Sequence, residues 1–494
     1  MAEAPGLRLA WPIGESERVA DPVLAGLAWA ETVVRAEVKT AELKAHLRKE
    51  ISSFPAEFLL FLPVSMILEL DDGTKPQRVL RADPDGKEII LRAGTEQSRW
   101  RVIFREVKIK DGRARADATH IHARDKVPLA WAIPSEGKRD ESGRFWAFFP
   151  THTATYLPGI LNAPWKLNSD RNAIVGGEWN TALMREAARL IVKTLPELST
   201  SDDPGRLLDA FPRQLERKDE DATPLVEAIW EALESAAVLP DANGKLRPAR
   251  KLCRYPRDNA NLARHWQALA DDAERAKLVH PSCMDRQRAS RLNALAERLS
   301  AEETDAESVR TPTWVYSAAW INQEEPIEKK RGKLRRCNTT DWFAAVATAS
   351  TKRALEVLKL AKAFAKDCKT DEWDRVRDTL AIIPAHNNGL LTAEKLVFAA
   401  PGIRVPDGRH PVARALSENA EAKRILTEVM EVKPLDDSVW ETVLDEAFPR
   451  QYPWESPSDE KWRAFWSLLR SAPEKAQSGF ASRNATRIRV RRRD

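Results

Sequence analysis

The chain has 494 residues and a mass of 55.7 kDa, room for roughly three domains of ordinary size. Hydrophobic residues make up 43% and charged residues 31%, a balance that excludes a mostly disordered chain. Lys and Arg exceed Asp and Glu by 79 − 74 = +5, too small an excess in so long a chain to argue for nucleic acid by itself.

The opening residues, MAEAPGLRLAWP, carry no basic region ahead of an apolar core and do not read as a secretory signal. Leu7 to Pro12, LRLAWP, alternates like a strand with only a few residues before it. At the other end RIRVRRRD alternates Arg with Ile488 and Val490 in the same way. Strand patterns at both ends without sequence neighbours predict a chain cut from something longer. For the tail, a solvated basic end and a nucleic-acid-binding arm are the alternatives.

Between the ends, Leu43, Leu47 and Ile51 recur at intervals of four and predict a helix over 40–52. The apolar run AEFLLFLPVSMILEL from Ala56 is broken by Pro63 and falls short of the ~18 residues of a membrane span. Strands are predicted at SMILEL, QRVLRA, EIILRA, WRVIFREVKI, PLAWAIP and RFWAFFP. Asp-Gly pairs at Asp72-Gly73, Asp85-Gly86 and Asp111-Gly112 punctuate them as hairpin turns. KLNSDRNAI, Lys166 to Ile174, then reads as a helix start capped by Ser169 or Asp170. Arg171 falls in its first turn, where the helix dipole disfavours a cation. Two readings of Arg171 stay open: a charge solvated by water, or a guanidinium aimed at an anion that another domain brings.

After Trp179 the pattern is helical, with Leu183, Ala187, Leu190 and Ile191 on one face, and from about 200 helices dominate. Glu324 to Arg336, EEPIEKKRGKLRR, reads as an exposed, solvated connection. A weak repeat lies in this half: IWEALESAAVLPDANGKLRPARKL, ending at Leu252, and EWDRVRDTLAIIPAHNNGLLTAEKL, ending at Leu396. Each has a Trp in a helix (Trp230, Trp373), an apolar approach to Pro240 or Pro384, a Gly turn at Gly244 or Gly389, and Lys-Leu. The unit is a helix feeding a strand, a tight turn and a return strand, which must pack on neighbours to bury its apolar face.

The usual signatures of chemistry are missing from the sequence: no Gly-rich phosphate loop, no strand-plus-GxGxxG, no HExxH. His120 and His122 share a strand face without a third ligand and read as surface or structural residues rather than a metal site. His280 lies near Cys283, but Pro281 between them predicts a turn, not a nucleophile and its base. Cys253, Cys283, Cys337 and Cys368 have no paired spacing and predict reduced, buried thiols in a cytoplasmic protein. The 17 tryptophans are spread along the chain and read as core.

The order of elements resembles the sacsin-type branch of the GHKL ATPases, the superfamily that includes the ninety-kilodalton heat-shock chaperones. EISSFPAEFLLFLPVSMILEL resembles that group's entry to its middle domain, a helix followed by a Leu-Leu-Phe-Leu strand. FWAFFPTHTATYLPGILNAPWKLNSDRNAI resembles its most characteristic stretch, and WNTALMREAARLIVKTLPEL its next helix. The Pro…Asn-Gly-Lys-Leu units resemble elements recurring downstream in sacsin-like chains. The likeness covers roughly residues 5 to 400, most of it within 40–200.

The resemblance implies a middle domain whose Leu-Asn-x-x-Arg segment supplies an Arg to the γ-phosphate of ATP. Leu167, Asn168 and Arg171 match that spacing, which marks Arg171 and Asn168 as catalytic and Arg171 and Lys166 as contacts to the nucleotide. Val175 stands where the family has a Gln. The acidic-Asn helix for magnesium, the Asp-x-Gly-x-Gly and the Gly-rich lid of the nucleotide domain do not occur here. ATP and magnesium would therefore bind through a domain outside this chain, upstream or in trans. No metal site is expected within the chain itself.

The expected fold is α+β. Residues 1–39 would be the closing strands of a nucleotide domain, and 40–200 a middle domain with a mostly antiparallel sheet. Residues 201–400 would form a helical region with the two strand-turn-strand units, and 401–494 a truncated helical C-terminal segment. Expected partners are the nucleotide domain and a client or partner protein, with no membrane. Two other function classes remain: a non-catalytic protein-interaction scaffold, and a nucleic-acid-binding module using the basic loop 329–336 and the Arg tail.

Overall fold

A computed structural model describes residues 38–63, 66–71, 78–118, 126–135, 143–212, 220–308, 334–386, 389–399, 405–449 and 458–484. Alternating strands build its largest element, an eight-stranded sheet in the order β1-β2-β3-β4-β5-β8-β6-β7. The strands are β1 (Ile67–Leu70), β2 (Arg78–Asp85), β3 (Glu88–Ala93), β4 (Glu96–Val107), β5 (Val127–Pro134), β6 (Arg144–Ala147), β7 (Phe149–Ala154) and β8 (Ile160–Asn162). All neighbours run antiparallel except β6 and β8. Asp85 faces Glu88 across a two-residue turn in which Gly86 has φ +62°, as an Asp-Gly hairpin requires.

The sheet has two different faces. Leu129, Trp131, Ile133, Phe145 and Leu161 point to one, where Leu183, Ala187 and Ile191 of helix Glu178–Thr194 cover them. On the other, Leu80, Leu91, Ala132, Trp146 and Ile160 meet Leu59 and Leu60. Those leucines lie in a 3-10 helix, Ala56–Phe61, where the family resemblance placed a strand. Pro55 and Pro63 bracket the segment, and neither can donate a ladder hydrogen bond.

Two further local expectations are corrected. Asp111 is not in a hairpin turn; its carboxylate accepts from the Arg113 and Ala114 amides and caps the helix Gly112–Asp117. RFWAFFP is two strands, because Phe148 adopts φ +64° and turns the chain between β6 and β7. Helix Ala41–Ser52 forms as expected, yet Leu43 and Leu47 stay 46% and 40% exposed, so its apolar stripe is not a core face. The LRLAWP stretch and the Asp72-Gly73 pair lie outside the described residues.

From helix Glu178–Thr194 onward helices dominate, and buried residues from Val107 to Val432 form one continuous cluster across position 200. Within it the two repeated stretches adopt the same conformation. Helix Thr223–Ser235 leads to β9 (Ala237–Pro240), Gly244 at φ +80°, β10 (Leu246–Pro248) and a 3-10 turn at Ala249–Lys251. Helix Thr370–Arg377 leads to β11 (Ile383–Pro384), Gly389 at φ +72°, β12 (Leu390–Leu391) and a 3-10 turn at Ala393–Lys395. The turns close alike: the Asp241 amide donates to Lys245 O and the Ala385 amide to Gly389 O, both at 2.8 Å.

The structural likeness runs further than the sequence similarity. Cys253 pairs in parallel with Leu278, and Arg254 with Arg336. In the second unit β13 (Leu396–Phe398) lies between β14 (His410–Pro411) and β15 (Lys433–Pro434), again in parallel. The bridge at Arg336 and the strand β15 each run into a capped helix, by Asn338 or Asp436, that carries a buried Trp342 or Trp440. A separate small core around Trp440, Phe465 and Phe480 joins helices Asp437–Ala447, Asp459–Ser471 and Glu474–Asn484.

Candidate functional site

The segment Lys166 to Val175 does not open a helix. Leu167 and Ile174 form an antiparallel bridge, and the Arg171 amide donates to Asn168 O at 3.1 Å, so the segment folds into a tight loop with Ser169 to Arg171 at its tip. The helix begins only at Glu178. Residues 168–173 bond among themselves instead of propagating a helix. Asn168 Oδ1 accepts from the Asn172 and Ala173 amides at 3.1 and 3.3 Å, and its Nδ2 donates to Asn172 Oδ1 at 2.7 Å. Such local side-chain bonds are the usual way Asn competes with helix formation.

Three anchors fix the loop to the sheet and the helix. The His152 amide of β7 donates to Asn172 O at 2.7 Å, and Thr153 Oγ1 accepts from the Ile174 amide at 3.2 Å. Asn180, buried in the first turn of helix Glu178–Thr194, accepts from the Lys166 amide and donates to Lys166 O and Val175 O. Asp117 takes the Lys166 ammonium on its carboxylate and main-chain carbonyl, and its Oδ2 also accepts from the Trp179 amide at 3.1 Å. The Lys166 bond, then the Trp179 amide, hold the Asp117 carboxyl below the ordinary carboxylate range. Gly177 is required beside it: its φ is +144°, and a Cβ there would fall 2.6 Å from Asp117 Oδ2.

The three residues marked in the sequence thus come together in one loop with different tasks. Lys166 is occupied by Asp117, and Asn168 shapes the turn. Arg171 is exposed at the tip with φ +57°, a left-handed conformation uncommon for a residue with a Cβ. Among the described residues its guanidinium makes no hydrogen bond or ion pair, and the neighbouring Asp170 accepts from Ser169 Oγ instead. The loop therefore presents a cation with a planar set of donors, suited to a carboxylate or phosphate. Asn180 and Asp117 were not picked out in the sequence. The Trp-Asn helix opening was the only trace of the first, and Asp117 lies 49 positions before its partner.

Among the described candidates, Cys283 and His280 hold structural positions. Cys283 is fully buried and its thiol is pushed far up by burial. His280 caps the 3-10 helix Pro281–Met284 through Nδ1 and the Ser282 amide, with its pKa lowered by burial. All four cysteines are free thiols; Cys253 and Cys283 are buried as expected, whereas Cys337 and Cys368 are only half-buried. Among the described residues no group of His, Cys, Asp and Glu could hold a metal ion, and no helix is long and apolar enough to cross a membrane. His120, His122, residues 324–333 and the Arg tail lie outside the described residues. In comparisons with known proteins, no family model, no curated protein and no solved structure matches the chain.

Proposed function

We propose that the chain is the middle and downstream portion of an ATP-dependent protein of the sacsin-like, heat-shock-chaperone-like GHKL type. In this reading it works in the cytoplasm on a client or partner protein, and a nucleotide domain outside the chain, upstream or in trans, holds ATP and magnesium. Arg171 then meets the γ-phosphate when that domain docks. The observation that carries the reading is an exposed Arg without a partner among the described residues, at the tip of a loop that Asn168, Asn180 and Asp117 hold rigid. A transferring phosphoryl group gathers charge on its equatorial oxygens, and a preorganised guanidinium stabilises that charge without rearranging. Asn168 keeps the turn, and Lys166 ties its base to Asp117 while adding positive potential near the nucleotide.

The test is steady-state ATP hydrolysis by the assembly with its nucleotide domain, comparing the wild type with Arg171→Ala. Turnover is expected to fall by about tenfold, or ~1.4 kcal/mol of barrier, and by up to roughly 10³-fold if the Arg acts as fully as in the best-studied cases. Nucleotide affinity should hold. Unchanged turnover would return Arg171 to a solvated charge. The isolated chain is expected not to bind magnesium-ATP at micromolar concentration in calorimetry.

A second reading, a non-catalytic interaction scaffold, is favoured by the two matching strand-turn-strand units embedded in one helical core. Wild-type turnover in an assembly that contains the nucleotide domain separates the two.

A further inference from the structure

The eight-stranded sheet blunts one of its edges and leaves the other open. At β7, Pro150 has no amide to offer, and the His152 amide already donates to Asn172 O at 2.7 Å. The pairing of β6 with β7 is irregular as well. At the opposite edge β1 pairs regularly with β2, from Ile67 with Arg81 to Leu70 with Arg78. No described strand lies on its outer side. Ile67–Leu70 contains no Pro, no Lys and no bulge, and Met66 and Ile67 are 47% and 54% exposed. An open edge with apolar side chains is a template for another strand.

This edge is complementary to itself. Leu68 and Leu70 lean on the core that Leu59 and Leu60 form with Leu80 and Leu91, and Ile67 and Glu69 face the other way. Antiparallel pairing about a two-fold axis at Leu68 sets Leu68 against its symmetry mate, Met66 against Leu70 and Ile67 against Glu69. Apolar residues then meet on the covered side. Glu69, the one carboxylate of the strand, meets Ile67, so no like charges oppose, whereas an axis at Glu69 would oppose two carboxylates. We propose that this edge pairs two copies of the chain, antiparallel about Leu68, into one continuous sheet. Four residues a side make a small contact, so the dimer forms and dissociates with concentration. The proposal does not depend on the role of Arg171.

Sedimentation of the full chain over a roughly hundredfold range of concentration reads the association. The wild type is expected to shift from monomer to dimer. Ile67→Glu sets two pairs of carboxylates against each other and should weaken the dimer by about tenfold, whereas Ile67→Lys meets Glu69 of the other copy and should not weaken it. Ile67 is exposed, and melting curves check that both variants fold. A second readout is cross-linking with oxidised glutathione, with the wild type as the control for native thiols. Leu68→Cys, directly opposite its mate, should give a disulfide-linked dimer, and Ile67→Cys, set diagonally at roughly 7–8 Å, should not. A chain that stays monomeric overturns the proposal, and protection of the 67–70 amides from exchange in that monomer would assign the edge to another segment of the same chain. Equal weakening by Glu and Lys, or indifference to both, also overturns it and moves the contact to a different register or surface.

Discussion

Asn180 holds Lys166 by both main-chain groups: its Oδ1 accepts from the Lys166 amide at 2.9 Å and its Nδ2 donates to Lys166 O at 2.8 Å. The same Nδ2 reaches Val175 O at 2.7 Å, so one side chain closes both ends of the loop that carries Arg171. Asn180→Ala leaves these loop groups without their partner and is expected to destabilise the chain by about 2–3 kcal/mol. Asn180→Asp sets a carboxylate oxygen against two carbonyls and should cost at least as much. Urea unfolding of the three proteins checks this, and equal midpoints would show that water replaces the clamp.

Asp117 joins Lys166 to the start of helix Glu178–Thr194. Its folded pKa lies below the unfolded value, so the stability it contributes is present above the ordinary carboxylate pKa. It is lost as pH falls through the lowered folded value. Asp117→Asn is expected to melt at a lower temperature than the wild type at pH 7 and to lose less on acidification below pH 4. A constant difference between the two melting curves across that range would remove Asp117 from the acid response.

Arg171 tolerates substitution by a rule that its exposure alone does not supply. At φ +57° a residue with a Cβ is strained by roughly 1–2 kcal/mol, whereas Gly is not. Arg171→Gly gives back part of that gain through unfolded-chain entropy, so its stability should stay within about 1 kcal/mol of the wild type. Arg171→Val, β-branched at the same φ, is expected to lose about 1–2 kcal/mol. Denaturant midpoints of the two variants decide it, and the same midpoint for both would mean the loop changes conformation freely.

Gly244 and Gly389 occupy the same place in the two repeated units, at φ +80° and +72°, and neither would bring a Cβ into contact with another atom. Ala at either position therefore meets only the backbone penalty, about 1–2 kcal/mol. The two variants should lose equal stability by calorimetry, and the double variant the sum, since distant sites add. A large inequality would show that the units are alike in form but not in energetics.

Features that depend on neighbours a few positions apart are legible along the chain. Alternation placed the strands from β2 to β5, the Asp85-Gly86 pair placed a hairpin, and helical spacing placed Leu183, Ala187 and Ile191 on the covered face of their helix. The Pro–Gly–Lys-Leu spacing exposed both repeated units, because a turn with a left-handed Gly is a local requirement. Where the chain's own side chains competed for the same amides, local reading failed. Asp111 caps a helix rather than a hairpin, and Asn168 turns the chain where a helix start was expected. Which charges are already engaged depends on long-range packing that no local pattern carries. Lys166 and Arg171 look alike in the string, five positions apart. Folding brings Asp117 and Asn180 to Lys166 from opposite sides, and it leaves Arg171 at the loop tip facing solvent. The parallel pairings at Arg336 and Lys433 are of the same kind: pairing in parallel needs a long crossover, so no short pattern announces it.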